Sequence, residues 1–356
     1  MAGSTGSTGS AGSADAAHAA HAAHAAHAAQ AAHAAHAAHA AHAAQAAQAA
    51  GYRPLLFSIA YGMTGSVGDA EDLVQDTFLN LARAEQAGTT VTNLKAYLTT
   101  SVTRLGINHL GSARVRRETY VGEWLPEPVV AFAERPGDTP AEHAELADSL
   151  SMAFLVMLEA LSPVERAVFL LREAFGYDYP QLAQLTGKSE ANCRQILTRA
   201  RKHLAATTGD TPPPPPARRA QGDELTRRFF EVAAGGDPQE LLGMLAPDVV
   251  LHGDGGGKAR AIGRRVTTPL PVAKLIVSAI RRTTELGARL APARINGHPG
   301  MVTYDTHGRV LNVLALHITH DNTVREIHAV TNPDKLTHLG QISDHGLHTP
   351  RKQRQR

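Results

Sequence analysis

Five consecutive prolines, Pro212 to Pro216, split this chain into halves that cannot share a helix or a strand. Each proline holds φ at about −65° and lacks a backbone N–H, so no regular hydrogen-bonded element runs through such a stretch. The run predicts a stiff, extended linker over 207–222, and the two sides of it have different periodicities. Before it, apolar residues recur at helical spacing: Leu55, Leu56, Ile59, Ala60 and Met63, then Leu73, Val74, Phe78 and Leu81, then Leu94, Leu98, Val102 and Leu105. This predicts one helical domain over 51–122, with Gly106 and Gly111 expected to interrupt its last helix. Residues 123–145 carry Trp124, Pro126, Pro128, Pro136 and Pro140 and read as an irregular connector. A second helical block spans 146–206. After the prolines, two short helical patterns lead into Val249-Val250-Leu251, an amphipathic helix follows at 270–285, and strand-like runs occupy 301–304, 310–319 and 324–330. Helices first and strands later predict an α+β domain over 223–340.

Both ends differ from the middle. In residues 1–50, His18, His21, His24, His27, His33, His36, His39 and His42 alternate with alanine pairs, and Gln30, Gln45 and Gln48 continue the period. A three-residue repeat precesses around a 3.6-residue helix and builds no apolar face. The segment therefore reads as a low-complexity tail, disordered or partly helical; the competing reading is a metal or pH sensor. Residues 341–356 end in Arg351, Lys352, Arg354 and Arg356 and read as a solvated basic tail.

The net charge of +2 excludes a uniformly basic coat, so any nucleic-acid contact must come from local segregation of charge. Cys193 is the single cysteine, which excludes an internal disulfide. No secretory signal pattern and no apolar run of about 20 residues is present, so a cytoplasmic protein with no membrane contact is expected. No catalytic residue, metal ligand or cofactor is assigned.

Segregated charge is present. Asp69, Glu71, Asp72, Asp76 and Glu85 crowd residues 69–85 against Arg83 alone, whereas 91–117 hold Lys95, Arg104, Arg114, Arg116 and Arg117 and no acid. Solvated faces are the plain reading; an acidic helix beside a basic one also fits two partners of opposite sign, a basic protein surface and a nucleic acid. Residues 178–204 then form a helix-turn-helix pattern. A short helix around Leu182 and Leu185 meets a turn at Gly187, and Ser189 is placed to cap a second helix. On that helix Cys193, Ile196, Leu197, Ala200 and Leu204 make one apolar stripe. The other face carries Asn192, Arg194, Gln195, Thr198 and Arg199, side chains suited to phosphates and base edges. An ordinary helix hairpin would share the pattern.

Several stretches resemble one family. Asp69-Ala70-Glu71-Asp72-Leu73-Val74-Gln75-Asp76-Thr77-Phe78 resembles the polymerase-binding helix of sigma region 2, and the segment from Leu161 to Leu170 resembles the opening of region 4. Trp124-Leu125-Pro126-Glu127-Pro128, Asp254-Gly255-Gly256-Gly257-Lys258 and Asn332-Pro333-Asp334-Lys335-Leu336 are similar to three signature motifs of the extracytoplasmic-function sigma factors with a fused SnoaL-like domain. The resemblance, over roughly 52–340, implies a multidomain protein: two all-α sigma domains and a C-terminal α+β SnoaL-like (NTF2-like) cone. It implies that Asp69, Glu71, Asp72, Gln75 and Asp76 contact core RNA polymerase. It places Asn108, His109, Arg114, Arg116 and Arg117 at the minus-ten element, and the polar face of the second helix at minus-thirty-five.

The three motifs are expected to pack together as a regulatory interface through which the C-terminal domain modulates activity, under an unidentified ligand or protein partner. The alternative is a bifunctional chain whose C-terminal domain also catalyses proton transfer, with Asp254, Tyr304, Asp305, His317 and His328 as candidates. A stand-alone helix-turn-helix repressor would not need the acidic helix.

Overall fold

The computed structural model describes residues 45–118, 120–131, 150–208, 219–262 and 264–344. Residues 45–50 are helical and, with Gly51 and Tyr52, belong to a separate unit. The histidines of the repeat, the proline run and residues 345–356 of the basic tail lie outside the described residues, whereas Ile342 of that segment forms a bridge with Val310. The described residues from Arg53 onward form one compact unit.

Three helices open it: α1 (Arg53–Thr64), α2 (Val67–Gln86) and α3 (Leu94–Glu118). Ser66 caps α2 by accepting from Asp69 N, and Ala70, Leu73, Val74, Thr77 and Leu81 bury the side facing α1 and α3. Burying each such leucine contributes about 1.5–3 kcal/mol. The expected interruption at Gly106 and Gly111 does not occur, and α3 runs unbroken through both. Gly106 is buried where a Cβ would come within 3.4 Å of Met63 of α1, so close helix approach offsets its weak propensity. Gly111 has no neighbour of this kind and no packing account.

The second helical block is α4 (Met152–Leu158), α5 (Pro163–Glu173), α6 (Tyr179–Thr186) and α7 (Glu190–Thr208). Asp178 and Gln181 form a capping box at the start of α6, Gly187 ends it in the left-handed region at φ 67°, and Ser189 Oγ accepts from Asn192 N at 3.2 Å to start α7. Cys193, Ile196, Leu197, Ala200 and Leu204 are all buried, as their spacing predicts. This block packs directly on the first: α3 lies against α5 and α6. Arg166 of α5, 3% exposed, donates to Met63 O at 2.8 Å and pairs with Glu159 at 2.8 Å.

The C-terminal half contributes α8 (Arg219–Gly235), α9 (Pro238–Leu242), β2 (Leu245–Asp254), β3 (Val266–Thr267), α10 (Pro269–Glu285), β4 (Arg289–Ile295), β5 (His298–Tyr304), β6 (Val310–Ile318) and β7 (Val324–Val330). With β1 (Val130–Ala131) at one edge, the sheet order is β1-β4-β5-β6-β7-β2-β3, antiparallel except for the parallel β2–β7 pair. The three helices cover one face through Phe229, Leu241, Val272, Ile276, Leu316 and Ile327. The opposite face takes Leu125, Met152 and Leu336 from elsewhere in the chain.

Two parts of this sheet depart from expectation. The connector is not wholly irregular: β1 (Val130–Ala131) adds to β4 as an edge strand. β4 itself escaped the strand reading because Arg-Leu-Ala-Pro-Ala-Arg-Ile has a proline at its centre. β1 pairs only with Arg294 and Ile295, so Pro292 sits where no outer neighbour requires its N–H. Among the described residues no helix is long and apolar enough to cross a membrane.

Candidate functional site

The acidic residues of α2 divide into two groups. Asp72, Gln75 and Asp76 are exposed on one side of the helix, and Leu79, one turn further along the same side, is 51% exposed. Asp69 instead meets His109 Nε2 of α3 at 3.2 Å, and Glu71 pairs with Arg53. His109 therefore turns toward α2 rather than joining Asn108. Asn108 is exposed and lines a cavity of about 760 Å³ with Asn93, with Tyr97 and Arg104 of α3, and with Gln184 of α6. The side chains of Arg114, Arg116 and Arg117 lie outside the described residues.

On α7, Arg194, Gln195, Thr198 and Arg199 are exposed and Asn192 is half-buried. Arg194 pairs with Glu190 at 3.0 Å and lies 4.8 Å from the Tyr179 ring centroid, so it is held against the preceding helix. Thr198 Oγ1 donates to Arg194 O within the helix. Gln195 and Arg199 project from the same face.

The three spaced motifs meet at one carboxylate. Asp254, fully buried at the end of β2, accepts from Tyr120 Oη at 2.5 Å, Leu125 N at 2.8 Å, Gly256 N at 3.0 Å and Lys335 Nζ at 2.6 Å. Lys335 also donates to Leu125 O and lies 4.1 Å from the Trp124 ring centroid and 4.8 Å from that of Tyr120. The ammonium is thus neutralised on one side and boxed by aromatic faces on the other. Burial, and then Asp254, push the Tyr120 phenol well above its ordinary value, so it donates as a neutral hydroxyl. The glycine triplet is a close approach rather than a flexible turn. A Cβ on Gly256, at φ 56°, would collide with the Asn332 side chain, which donates to Tyr120 Oη at 2.7 Å. Lys258 and Asp334 close the rim at 2.5 Å, and Leu336 is buried beside Leu125.

The connector carries this cluster to the first helical block. Trp124 covers Gly65, where a Cβ would come within 2.6 Å of its ring. The Glu127 carboxylate accepts from Ser66 Oγ at 3.0 Å and Val67 N at 2.7 Å, at the N-terminus of the acidic helix α2. A carboxylate there satisfies otherwise orphaned N–H groups and opposes the helix dipole. Pro126 lies beside Gly65, and Pro128 O accepts from His338.

Asn296, which the sequence did not single out, ties three segments together. From the β4–β5 turn, at φ 50° and 1% exposed, its Nδ2 donates to Tyr61 Oη of α1 at 2.8 Å and to Leu150 O before α4 at 3.1 Å. Its Oδ1 accepts from Val129 N of the connector at 3.1 Å. One side chain of the sheet thus reaches both helical blocks.

The residues considered for proton transfer do not assemble around Asp254, whose two oxygens are already engaged. Asp305 closes the β5–β6 turn by accepting from Arg309 and Ser343, and Tyr304 lies under Arg289. His317 and His328 instead join His298 and His252 in a row across β5, β6, β7 and β2. Ring centroids are 5.1 Å apart for His298–His317 and 4.9 Å for His252–His328. Burial, then His317 and Arg294, push His298 down to about 4; burial also lowers His317 and His328, so these imidazoles are neutral at pH 7.

Residues 49–116 match the family described as Sigma-70 region 2, and residues 151–204 match Sigma-70, region 4. The ECF RNA polymerase sigma factor SigJ of Mycobacterium tuberculosis is 35% identical over 299 residues, spanning 80% of this chain and 91% of its own. The chain belongs to the extracytoplasmic-function sigma factors. A second relative, the probable ECF RNA polymerase sigma factor SigI of the same species, is 29% identical over 292 residues, covering 81% of this chain and 93% of its own. The crystal structure of M. tuberculosis SigJ superposes with a TM-score of 0.64 at 32% identity, over 81% of this chain and 96% of that one. This sigma factor therefore initiates transcription with core RNA polymerase at promoter DNA, and α6–α7 is its region 4 helix-turn-helix. Its C-terminal α+β domain belongs to the same architecture.

Proposed function

We propose that the C-terminal domain of this sigma factor holds regions 2 and 4 closed on each other, and that initiation requires them to part. The observation that carries the reading is the reach of Asn296 to Tyr61 on one side and Leu150 on the other. Minus-ten and minus-thirty-five elements lie about 25 base pairs apart, roughly 85 Å at about 3.4 Å per pair. A region 4 packed on α3 of region 2 cannot span that distance. Closure also sets Gln184 of α6 beside Asn108, inside the cavity on the strand-opening helix.

In the open state, Asp72, Gln75 and Asp76, with Leu79 at the end of their row, form the polymerase contact. Asp69 and Glu71 support that helix from within. Arg194, Gln195, Thr198 and Arg199, with Asn192, read minus-thirty-five. Asn108 serves minus-ten together with Arg114, Arg116 and Arg117, and His109 positions α3 on α2. The inducing partner is a small molecule or protein that binds the open arrangement more tightly, because only differential affinity shifts such an equilibrium.

Asn296→Gly tests this, because glycine keeps the positive φ while deleting the bridging amide. Buried hydrogen bonds contribute about 1 kcal/mol each, so loss of the bridge shifts the closed–open ratio by roughly tenfold or more. In reconstituted transcription with core polymerase at limiting sigma factor, the variant is expected to yield severalfold more promoter-specific transcript. Equal or reduced output from a folded variant contradicts the reading.

A further inference from the structure

The histidine row contains a group of side chains that neither polymerase binding nor closure uses. His252 on β2 and His328 on β7 are register partners, and Glu326 lies two residues before His328 on the same face of β7. Each offers one ligand atom, and the three atoms lie within 4.8 Å of one another. His328 is 1% exposed, yet its Nε2 has no hydrogen-bond partner among the described residues and stands 3.4 Å from Glu326 Oε2. A buried polar atom left unpaired is costly and requires an account.

His252 is oriented as a ligand would be. Its Nδ1 meets Glu123 Oε1 at 2.8 Å, and Arg265 Nε donates to the same oxygen at 2.9 Å. A carboxylate on one imidazole nitrogen fixes the proton there and makes the other the lone-pair donor, an arrangement common behind metal-binding histidines. Glu326 is 30% exposed and gives the cluster a path to solvent.

We propose that His252, Glu326 and His328 bind one divalent transition-metal ion of the zinc class, with water completing the shell and Glu123 orienting His252 from behind. Two imidazoles and one carboxylate suit borderline ions rather than calcium or magnesium, which prefer all-oxygen sites. Bonds of about 2.0–2.2 Å hold ligand atoms closer than the present spacing, so binding draws the three side chains together. The ion would clamp β2 to β7 and, through Glu123, hold the connector just before Trp124.

Zinc titration of the full chain, read by competition with a chromophoric chelator, tests the site. The N-terminal histidines also offer imidazoles, so the comparison is between the wild type and Glu326→Gln or His252→Gln, all with the tail intact. The wild type is expected to bind one tight equivalent more than either variant, and to gain thermal stability with zinc that they do not. Glu123→Gln is expected to retain the equivalent with affinity lowered about 10–100-fold. The partly exposed Glu326→Gln carries little folding risk. If it and the wild type match in stoichiometry and in zinc-induced stabilisation, the tail alone binds metal and the proposal is wrong. The readout is binding, so its failure would leave the closed-state reading of region 2 and region 4 standing.

Discussion

Asp254→Ala is expected to release the connector from the sheet and to destabilise the folded chain by about 3–5 kcal/mol, the usual effect of leaving one member of a buried ion pair alone. Lys335 would keep its charge between Trp124 and Tyr120 with no carboxylate facing it, and Tyr120 Oη and Leu125 N would lose their shared acceptor. Lys335→Met removes the buried cation and leaves Asp254 its three remaining donors, so it should cost less. The double variant should recover part of the loss without reaching wild type. The coupling measured in such a cycle is expected to exceed about 1 kcal/mol, as for other groups in one buried network. Trp124 is the only tryptophan in the chain, so denaturation followed by its fluorescence reports on this cluster directly. Asp254→Ala should also shift Trp124 emission to the red in native buffer and raise its quenching by iodide. Additive single effects with unchanged emission would mean that the cluster does not hold the connector.

Reversing the exposed charges of α2 with Asp72→Lys and Asp76→Lys is expected to weaken core polymerase binding at least a hundredfold, about 2.7 kcal/mol. These carboxylates run along the helix up to Leu79, an exposed apolar side chain at the end of the acidic row, so a charged and an apolar contact adjoin as they commonly do in protein interfaces. Juxtaposed like charges cost several kcal/mol across such an interface. The substitutions lie on the solvated side of the helix and should leave unfolding unchanged. Fluorescence anisotropy of labelled sigma factor titrated with core enzyme gives the affinity. A loss under threefold would move the polymerase contact to another surface.

Much of this arrangement was legible in local patterns. The region 4 helices were, because their caps and apolar stripe are set by residues three or four apart; Ser189, Gly187 and the Cys193–Leu204 stripe do in space what their spacing predicts. The strands β6 and β7 were legible as apolar runs separated by a polar turn. The convergence of the three motifs came from the family resemblance and not from periodicity, and Tyr120, which completes the cluster, carried no signal of its own. Asn296 was invisible for a plain reason: its partners are Tyr61, 235 residues away, and Leu150, 146 residues away. The His252–His328 pair likewise exists only because β2 lies parallel to β7. The glycines of α3 misled because helix propensity is a weak prior that the packing of Gly106 on Met63 overrides.

The closed arrangement is tested most directly by the distance between regions 2 and 4 in solution. Fluorophores at Gln86→Cys on α2 and Ala206→Cys on α7, both exposed positions, can be placed after Cys193, the single native cysteine, is changed to alanine. Single-molecule energy transfer on the free protein should show one high-transfer population. Asp254→Ala and Asn296→Gly should each add a low-transfer population, and core polymerase with promoter DNA should make it dominant. A free wild-type protein already populating the low-transfer state, or variants indistinguishable from it, would contradict the claim that the C-terminal domain holds the two promoter-reading regions together.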